Sequence, residues 1–224
     1  MATQAQRRLS TRTRLLEAAT ACLVESGYTE LTTTAVAKRA GLSQGALFRY
    51  FPSKQALLGA TAEHLFGTLR SLYEVRFGAA MRKRAVTLVG ALELLAEVLQ
   101  DPRYLAALEL HTAARTDLVL RESLDPVVHR HAEDLRRLAR ALPIERSVTG
   151  RISLDDAVDL ATLALQGAAV HRLAVRDTTA FDRAVGALTR LALPVSPALP
   201  APVPPVARRS SARPKPVRRA KGSR

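Results

Sequence analysis

Apolar residues recur every three or four positions along most of this 224-residue chain, the spacing that places them on one face of an α-helix. Strict alternation of apolar and polar residues, which is typical of a half-buried strand, never persists. The hydrophobic pattern therefore predicts an all-α fold, a bundle of about nine helices.

Breaks in this pattern set the expected limits of the helices. A first helix is predicted over residues 11–26, where Gly27 ends it. Further along, Ser53 is placed to cap a long helix that runs to about residue 76, and Gly78 marks the joint with the next element. The remaining helices are predicted over residues 82–100, 102–114, 117–142, 154–176 and 179–191.

Residues 31–54 predict two short helices around a tight turn. Three consecutive threonines offer hydroxyls that suit the start of the first helix. Gly41 ends that helix, because glycine reaches the left-handed conformation without strain, and Ser43 is a good N-cap for the second. Leu47 and Phe51 lie four residues apart and so share the face that anchors the second helix to the body.

The second helix keeps its other face free. At roughly 100° per residue, the side chains that point away from the anchor or flank it are Gln44, Gly45, Ala46, Phe48, Arg49 and Tyr50. Amide, small, aromatic and basic side chains on a presented helix suit the major groove of DNA. The segment is therefore predicted to be a helix-turn-helix.

This segment resembles the N-terminal domain of the TetR (tetracycline-repressor) family of transcriptional regulators. The shared positions are Leu31, Thr32, Thr33, Val36, Ala37, Ala40, Gly41, Leu42, Ser43, Gly45, Leu47, Phe48, Phe51, Ser53 and Lys54. The resemblance extends from about Arg12 to about Leu58. It implies a DNA-binding domain over residues 1–58 and a helical effector-binding and dimerisation domain over residues 59–192.

Side-chain chemistry on the free face assigns contacts to DNA bases. Gln44 can pair with adenine, Arg49 can bond guanine, and Phe48 can touch a thymine methyl group. Gly45 and Ala46 permit close approach to the groove. The alternative for Phe48 is packing against the first helix.

The resemblance carries phosphate contacts over to four residues, Thr33, Thr34, Tyr50 and Lys54. Phe48 and Tyr50 depart from the family, which usually has Tyr and often has His at these two positions, so the phenol of Tyr50 is expected to replace a missing phosphate contact. Ser43 completes the predicted DNA-binding set. Packing against the first helix is the alternative for Tyr50, and a solvated surface charge is the alternative for Lys54.

A homodimer on a palindromic operator is expected, because one DNA-binding domain of this size, here called a reading head, covers too few base pairs to select a genomic site. The last two helices are the natural interface, and in the family they pair with their mates in a four-helix bundle. Their predicted contact faces are Leu160, Leu163, Ala164, Gly167, Ala168 and His171, and Val185, Leu188 and Leu191. The alternative is burial within one monomer.

The resemblance also implies a small-molecule effector that binds among the middle helices and shifts the reading heads out of register. Polar residues on otherwise apolar helices are the candidate contacts: His64, Tyr73, Tyr104, Glu109, His111, Arg115, Gln166 and His171. For each of them, a place at the surface or in an interface is the alternative. The identity of the effector does not follow from the sequence.

Charge is distributed unevenly. The chain has a formal net charge of +14, and residues 193–224 contribute eight basic and no acidic residues. This proline-, alanine- and arginine-rich tail has no helical periodicity and is predicted to be disordered. The tail either solubilises the protein or attracts DNA phosphates without reading sequence. An architectural, weakly specific DNA-binding protein driven by the tail is accordingly the alternative function.

Other classes of function find little support. Cys22 is the sole cysteine and lies on the inner stripe of the first helix, so a buried thiol is expected rather than a disulfide. The pattern contains neither a hydrolase nor a phosphate-loop motif and no metal-binding spacing, so no enzyme activity, cofactor or metal is predicted. No apolar run reaches the ~20 residues that span a membrane, and a cytoplasmic, nucleoid-associated protein is expected.

Overall fold

Nine α-helices make up nearly all of the part of the chain that the structure, a computed structural model, describes: residues 3–82, 87–142, 153–175 and 179–192. No strand occurs within those ranges, so the predicted all-α fold is confirmed. The helices are α1 (Gln4–Glu30), α2 (Thr33–Arg39), α3 (Gln44–Phe48), α4 (Lys54–Arg82), α5 (Leu88–Leu99), α6 (Pro102–Ala113), α7 (Leu118–Ala141), α8 (Leu154–Ala174) and α9 (Thr179–Ala192).

Helix α1 begins seven residues earlier than the hydrophobic pattern predicts, at Gln4 rather than at residue 11. Thr3 and Gln6 form a reciprocal cap: the Thr3 hydroxyl accepts from the Gln6 N–H, and the Gln6 side chain accepts from the Thr3 N–H. The first turns are exposed on every side and therefore carry no apolar stripe. Gly27 interrupts the helix as expected, with φ 78° and ψ 175°, but one further turn follows it.

Helix α4 continues to Arg82, so the prediction that Gly78 marks a joint was wrong. Tyr73 and Phe77 are buried and extend the apolar stripe of the helix past the expected end near residue 76. A single glycine inside a helix costs only about 1 kcal/mol relative to alanine, which this burial offsets. Arg82, predicted to begin the next helix, instead belongs to the last turn of α4.

Side-chain caps fix the starts of the later helices. Thr87, Asp101, Asp117 and Ser153 each accept a hydrogen bond from a backbone N–H in the first turn of α5, α6, α7 and α8, respectively. The last four predicted helices agree with α6 to α9 to within two residues at each described end.

The hydrophobic core runs without interruption from the N-terminal helices into the larger bundle. Helix α4 packs along α7 and also against α1, while α1 lies against α6 and α8 lies against α9. Cys22 is buried in this core as a free thiol, as expected. All the described helices belong to one compact unit spanning residues 1–194, and the proposed division at residue 58 stays a prediction. The predicted tail, residues 193–224, lies outside the described residues.

Candidate functional site

The turn between α2 and α3 is held by local hydrogen bonds of the kind that the sequence predicts. The Thr32 hydroxyl accepts from the Ala35 N–H at 3.1 Å, and the Ser43 hydroxyl accepts from the Ala46 N–H at 3.1 Å. Gly41 has a φ of 64°, which is the left-handed conformation expected of a glycine that ends a helix. The relative orientation of the two short helices is therefore set by residues within the segment itself.

The anchoring face of α3 is buried as predicted. Leu47 and Phe51 are both buried in the core. Helix α3 itself ends at Phe48, and Phe51 follows in a turn, where its N–H donates to the Leu47 carbonyl at 3.0 Å. The Arg12 guanidinium of α1 lies 5.4 Å from the centre of the Phe51 ring. Packing against α2, together with the contact between α1 and Phe51 just beyond its end, thus holds α3 in place despite its length of only five residues.

The opposite face of α3 is open. Gln44, Gly45 and Arg49 are exposed, and Phe48 retains 42% of its accessible surface although it is a large aromatic residue. Ala46 and Tyr50 are half-buried. Phe48 therefore does not belong to the buried core.

Two of the predicted DNA-binding residues contact each other. The Gln44 amide donates to the Thr33 hydroxyl at 2.9 Å, which holds the amide at the edge of the α2–α3 surface. Thr34 is exposed beside them, whereas the hydroxyl of Ser43 is engaged in the helix cap. Lys54 is half-buried at the start of α4, with its Nζ 5.8 Å from the centre of the Tyr28 ring. The DNA contacts of these residues stay a prediction.

A polar joint connects this N-terminal region to the larger bundle. After the interruption at Gly27, the Tyr28 N–H donates to the Glu109 carboxylate of α6 at 2.9 Å. The Tyr28 hydroxyl donates to the Asp117 carboxylate, which caps α7, at 3.2 Å. Partial burial, together with the charge of Asp117 and this hydrogen bond, raises the pKa of Tyr28. An added Cβ at Gly27 would lie 3.1 Å from Glu109 Oε2, so glycine also permits the close approach of α6.

A second polar site lies inside the bundle, where four aromatic rings from three helices meet. We call Phe66, Tyr73, Tyr104 and His131 the ring cluster. The centre of the His131 ring lies 5.0 Å from that of Phe66, 5.6 Å from that of Tyr73 and 6.4 Å from that of Tyr104. Gln166 of α8 donates a hydrogen bond to the Tyr104 hydroxyl.

Burial dominates the electrostatics of the ring cluster. It lowers the pKa of His131 to about 4, an effect that Asp134 opposes and His111 reinforces. Burial also raises the pKa values of Tyr73 and Tyr104. At neutral pH the described ring cluster is therefore uncharged.

Several buried polar atoms in this region have no hydrogen-bond partner. They are Tyr73 Oη, His131 Nε2 and Thr162 Oγ1, and the fourth such atom among the described residues is Thr20 Oγ1 in α1. An unpaired buried polar atom costs about 1–3 kcal/mol, so each calls for an explanation. A cavity of about 130 Å³ between α4 and α7 reaches one of them, since it is lined by Glu63, Phe66, Gly67, Arg70, Val127, Arg130 and His131.

Only three of the eight predicted effector residues meet in this interior: Tyr73, Tyr104 and Gln166. Glu109 is engaged in the joint with Tyr28. The other four are not in the core: His64 is half-buried on α4, Arg115 and His171 are exposed, and His111 is exposed at the edge of the ring cluster, with its ring centre 6.0 Å from that of Phe66. His131 was not predicted as a candidate, because a histidine on a helix with many charged residues gives no signal of burial.

The predicted dimer face is partly exposed to solvent. On α8, Leu160, Leu163, Ala164, Gly167 and His171 are exposed, and Leu163 retains 66% of its accessible surface. Val170 and Leu173 extend this face beyond the predicted set. On α9, Leu191 is exposed, whereas Val185 and Leu188 are half-buried against the core of their own chain. Packing within the monomer thus accounts for part of the α9 face and little of the α8 face.

None of the helices within the described ranges is long and apolar enough to span a bilayer. The same residues contain no group of three histidine, cysteine, aspartate or glutamate side chains arranged to hold a metal ion.

Comparison with known proteins identifies the family. Residues 15–61 match the model of the bacterial regulatory proteins of the tetR family. The uncharacterized HTH-type transcriptional regulator Rv2912c of Mycobacterium tuberculosis is 31% identical over 84% of this chain and 96% of its own length. The HTH-type transcriptional regulator CymR of Pseudomonas putida is 31% identical over 81% of this chain and 88% of its own length.

Solved structures agree on the fold. The multidrug binding protein EbrR in complex with imidazole superposes with a TM-score of 0.58 at 21% identity, over 81% of this chain and 94% of EbrR. A TetR-family structure from Rhodococcus sp. gives a TM-score of 0.63 at 20% identity, over 82% of this chain and all of that one. The chain therefore belongs to the TetR family and is a helix-turn-helix, DNA-binding transcriptional regulator.

Proposed function

We propose that this regulator is a homodimeric repressor that binds a palindromic operator through α3 and leaves it when a small molecule enters the bundle. The observation that carries the proposal is the double role of α6. Glu109 of this helix bonds the N-terminal region, while Tyr104 of the same helix belongs to the ring cluster in the interior. A change in the interior can therefore be passed to the DNA-binding region through one rigid element.

Base reading falls to Gln44 and Arg49. Arg49 is exposed, so its guanidinium is available to guanine. The Gln44 amide is already oriented by Thr33, which lowers the entropy lost when it meets adenine. Gly45 supports close approach to the groove, since an added Cβ there would meet no protein atom within 4 Å.

Phosphate contacts by Thr33, Thr34, Tyr50 and Lys54 would place this surface on the DNA backbone. The Tyr28 ring supports the Lys54 ammonium from one side, and Lys54 is the first residue of α4. A helix N-terminus favours a phosphate group, because its backbone N–H groups point outward. The Ser43 hydroxyl is used by its cap, so its contribution is to position α3.

Dimerisation through α8 and α9 would bring two reading heads onto one operator. The exposed residues Leu160, Leu163, Val170 and Leu173 form an apolar strip on α8 that a second copy would cover. Small residues such as Gly167 allow the backbones of paired helices to approach closely. A regulator with this function is expected to lie in the cytoplasm, close to the nucleoid.

Effector binding would act as a shift between two arrangements of the same molecule. The Glu109–Tyr28–Asp117 joint fixes one placement of the N-terminal region on α6 and α7. A ligand that binds more tightly to another placement of these helices draws the population away from the DNA-competent form.

Selection of bound sequences from a random DNA pool tests this proposal. We expect a palindromic site with two half-sites about one or more helical turns apart, and a complex of two chains per site by light scattering. Recovery of no shared sequence, with equal binding to random DNA at raised salt, would favour the architectural alternative. Full operator binding by a monomer would contradict the proposed dimer.

A further inference from the structure

The geometry of the cavity between α4 and α7 points to a small, uncharged, single-ring aromatic ligand that carries one hydrogen-bonding group and docks against His131. The claim that such a ligand acts as an effector rests on the proposed function. Its binding is a separate claim, which concerns the protein without DNA.

The size of the cavity sets the size of the ligand. Its volume of about 130 Å³ is close to that of an engineered protein cavity of roughly 150 Å³ that binds benzene. A single ring with a small substituent fits this space. Gly67 contributes to the opening, because an added Cβ at this position would meet no protein atom within 4 Å.

The walls favour an aromatic ligand. Phe66 and His131 both line the cavity, and their rings meet edge to face with an angle of 68° between the planes. Val127 supplies an aliphatic wall. A flat ring placed among these side chains gains both apolar burial and edge-to-face contacts.

The buried imidazole supplies the polar contact. His131 is only 7% exposed, and its Nε2 atom has no hydrogen-bond partner in the described residues. A neutral imidazole nitrogen can donate or accept, depending on the tautomer, so a hydroxyl on the ligand satisfies it in either case. Tyr73 also has an unpaired hydroxyl, but it does not line the cavity.

The surroundings disfavour a charged ligand. Among the described residues no Asp, Glu, Lys or Arg is buried, and Asp134, whose side chain is only 12% exposed, already pairs with Arg70 and Arg137, so no unpaired buried ion is present to pair with a charged group. The charged residues at the cavity, Glu63, Arg70 and Arg130, are exposed. A carboxylate or ammonium group in the interior would therefore lose its hydration without a buried counter-charge.

Calorimetric titration of the DNA-free, full-length protein tests the ligand class with four probes of similar size: phenol, toluene, benzoate and benzylamine. We expect phenol to bind roughly five- to tenfold more tightly than toluene, since one neutral hydrogen bond contributes about that factor. Benzoate and benzylamine should bind more weakly than toluene. Phenol binding no tighter than toluene, or tighter binding of either ion, overturns the proposal.

Two variants and a matched control assign the binding to this cavity. His131→Phe keeps a ring but removes the nitrogen, so phenol should then bind no more tightly than toluene. Gly67→Leu should fill the cavity and lower the affinity for phenol and for toluene at least tenfold. An added Cβ at this position meets no protein atom within 4 Å, so the substitution introduces no clash there. His129→Phe changes an exposed histidine of the same helix and should leave both affinities unchanged. Unaltered phenol binding in Gly67→Leu overturns the assignment, even if His131→Phe fails to fold.

Separate readouts distinguish this inference from the proposed function. Absence of phenol binding, together with selection of a palindromic operator, overturns the ligand class and leaves the regulator intact. Phenol binding with the expected variant pattern, but without any loss of operator affinity, supports the site and contradicts release by this ligand.

Discussion

The α2–α3 segment and the interior of the bundle satisfy their polar groups in opposite ways. In the segment, Thr32 and Ser43 pair with backbone N–H groups three residues away, and Gln44 pairs with Thr33. In the interior, the side chains of Tyr73 and His131 keep buried polar atoms without partners. On the proposed function, the surface is already ordered before it meets DNA, whereas a ligand would supply the partners that the polar atoms of the interior lack.

Substitutions on the two faces of α3 should give the largest difference in the free energy of unfolding. Leu47→Ala should lower the free energy of unfolding by about 2–5 kcal/mol, because Leu47 is fully buried. Phe48→Ala, one residue further, should change the free energy of unfolding by less than about 0.5 kcal/mol, because Phe48 faces solvent. Urea denaturation of both variants measures the two values. Equal destabilisation would show that Phe48 is a core residue after all.

The pH dependence of stability tests the interior. Because burial lowers the folded-state pKa of His131 to about 4, the unfolded chain binds the extra proton first as the pH falls. The contribution of His131 is therefore constant above pH ~6.5 and falls by about 3 kcal/mol as the pH drops from ~6.5 to ~4.

Denaturation of wild type and His131→Phe across this pH range isolates the effect. The variant should have a shallower slope, since it lacks the titrating group, while Asp134 and His111, which influence His131, remain present in both proteins. His129→Phe is the matched control, because His129 is exposed on the same helix. Identical slopes for wild type and His131→Phe would show that His131 titrates normally in the folded protein.

The DNA-binding surface is tested by Arg49→Ala. It should lose about 1–3 kcal/mol of operator binding and relax the preference at one or two base pairs, because Arg49 is assigned to a guanine. Arg121→Ala removes an exposed arginine of α7 and serves as the control for net charge. Equal weakening on operator and random DNA would reassign Arg49 to a phosphate.

The smallest effect is expected at the polar joint, where Glu109 accepts a hydrogen bond from the Tyr28 N–H. Glu109→Ala leaves the Tyr28 N–H without its acceptor and should cost about 1 kcal/mol of stability, whereas Glu109→Gln keeps an acceptor and should cost less. Thermal denaturation measures both. No difference between the two variants would mean that water replaces the carboxylate at no cost.

Much of the DNA-binding region was predictable because its structure depends on contacts close in sequence. The roles of Gly41, Ser43 and Ser53 follow from residue type and spacing, and all three are confirmed. The start of α1 was missed because its first turns are exposed and its cap is separate from any apolar stripe. The end of α4 was missed because burial of Phe77 outweighs the helix-breaking tendency of Gly78.

The interior was less predictable, since its contacts join residues far apart in the chain. Tyr104 and Gln166 are 62 residues apart and come together only through the packing of α6 against α8. His131 and Tyr28 carry no local signal of their roles. Glu109 was singled out as a polar residue on an apolar helix, yet its partner is the backbone of Tyr28, which no local pattern indicates.

The central claim is that the incomplete interior and the complete DNA-binding surface are coupled. Fluorescence anisotropy of the selected operator, titrated with protein in the presence and absence of phenol, tests it most directly. We expect phenol to weaken operator binding at least tenfold in the wild type and to have no effect in Gly67→Leu. An operator affinity that phenol leaves unchanged in the wild type, at concentrations that saturate the protein, would contradict the coupling.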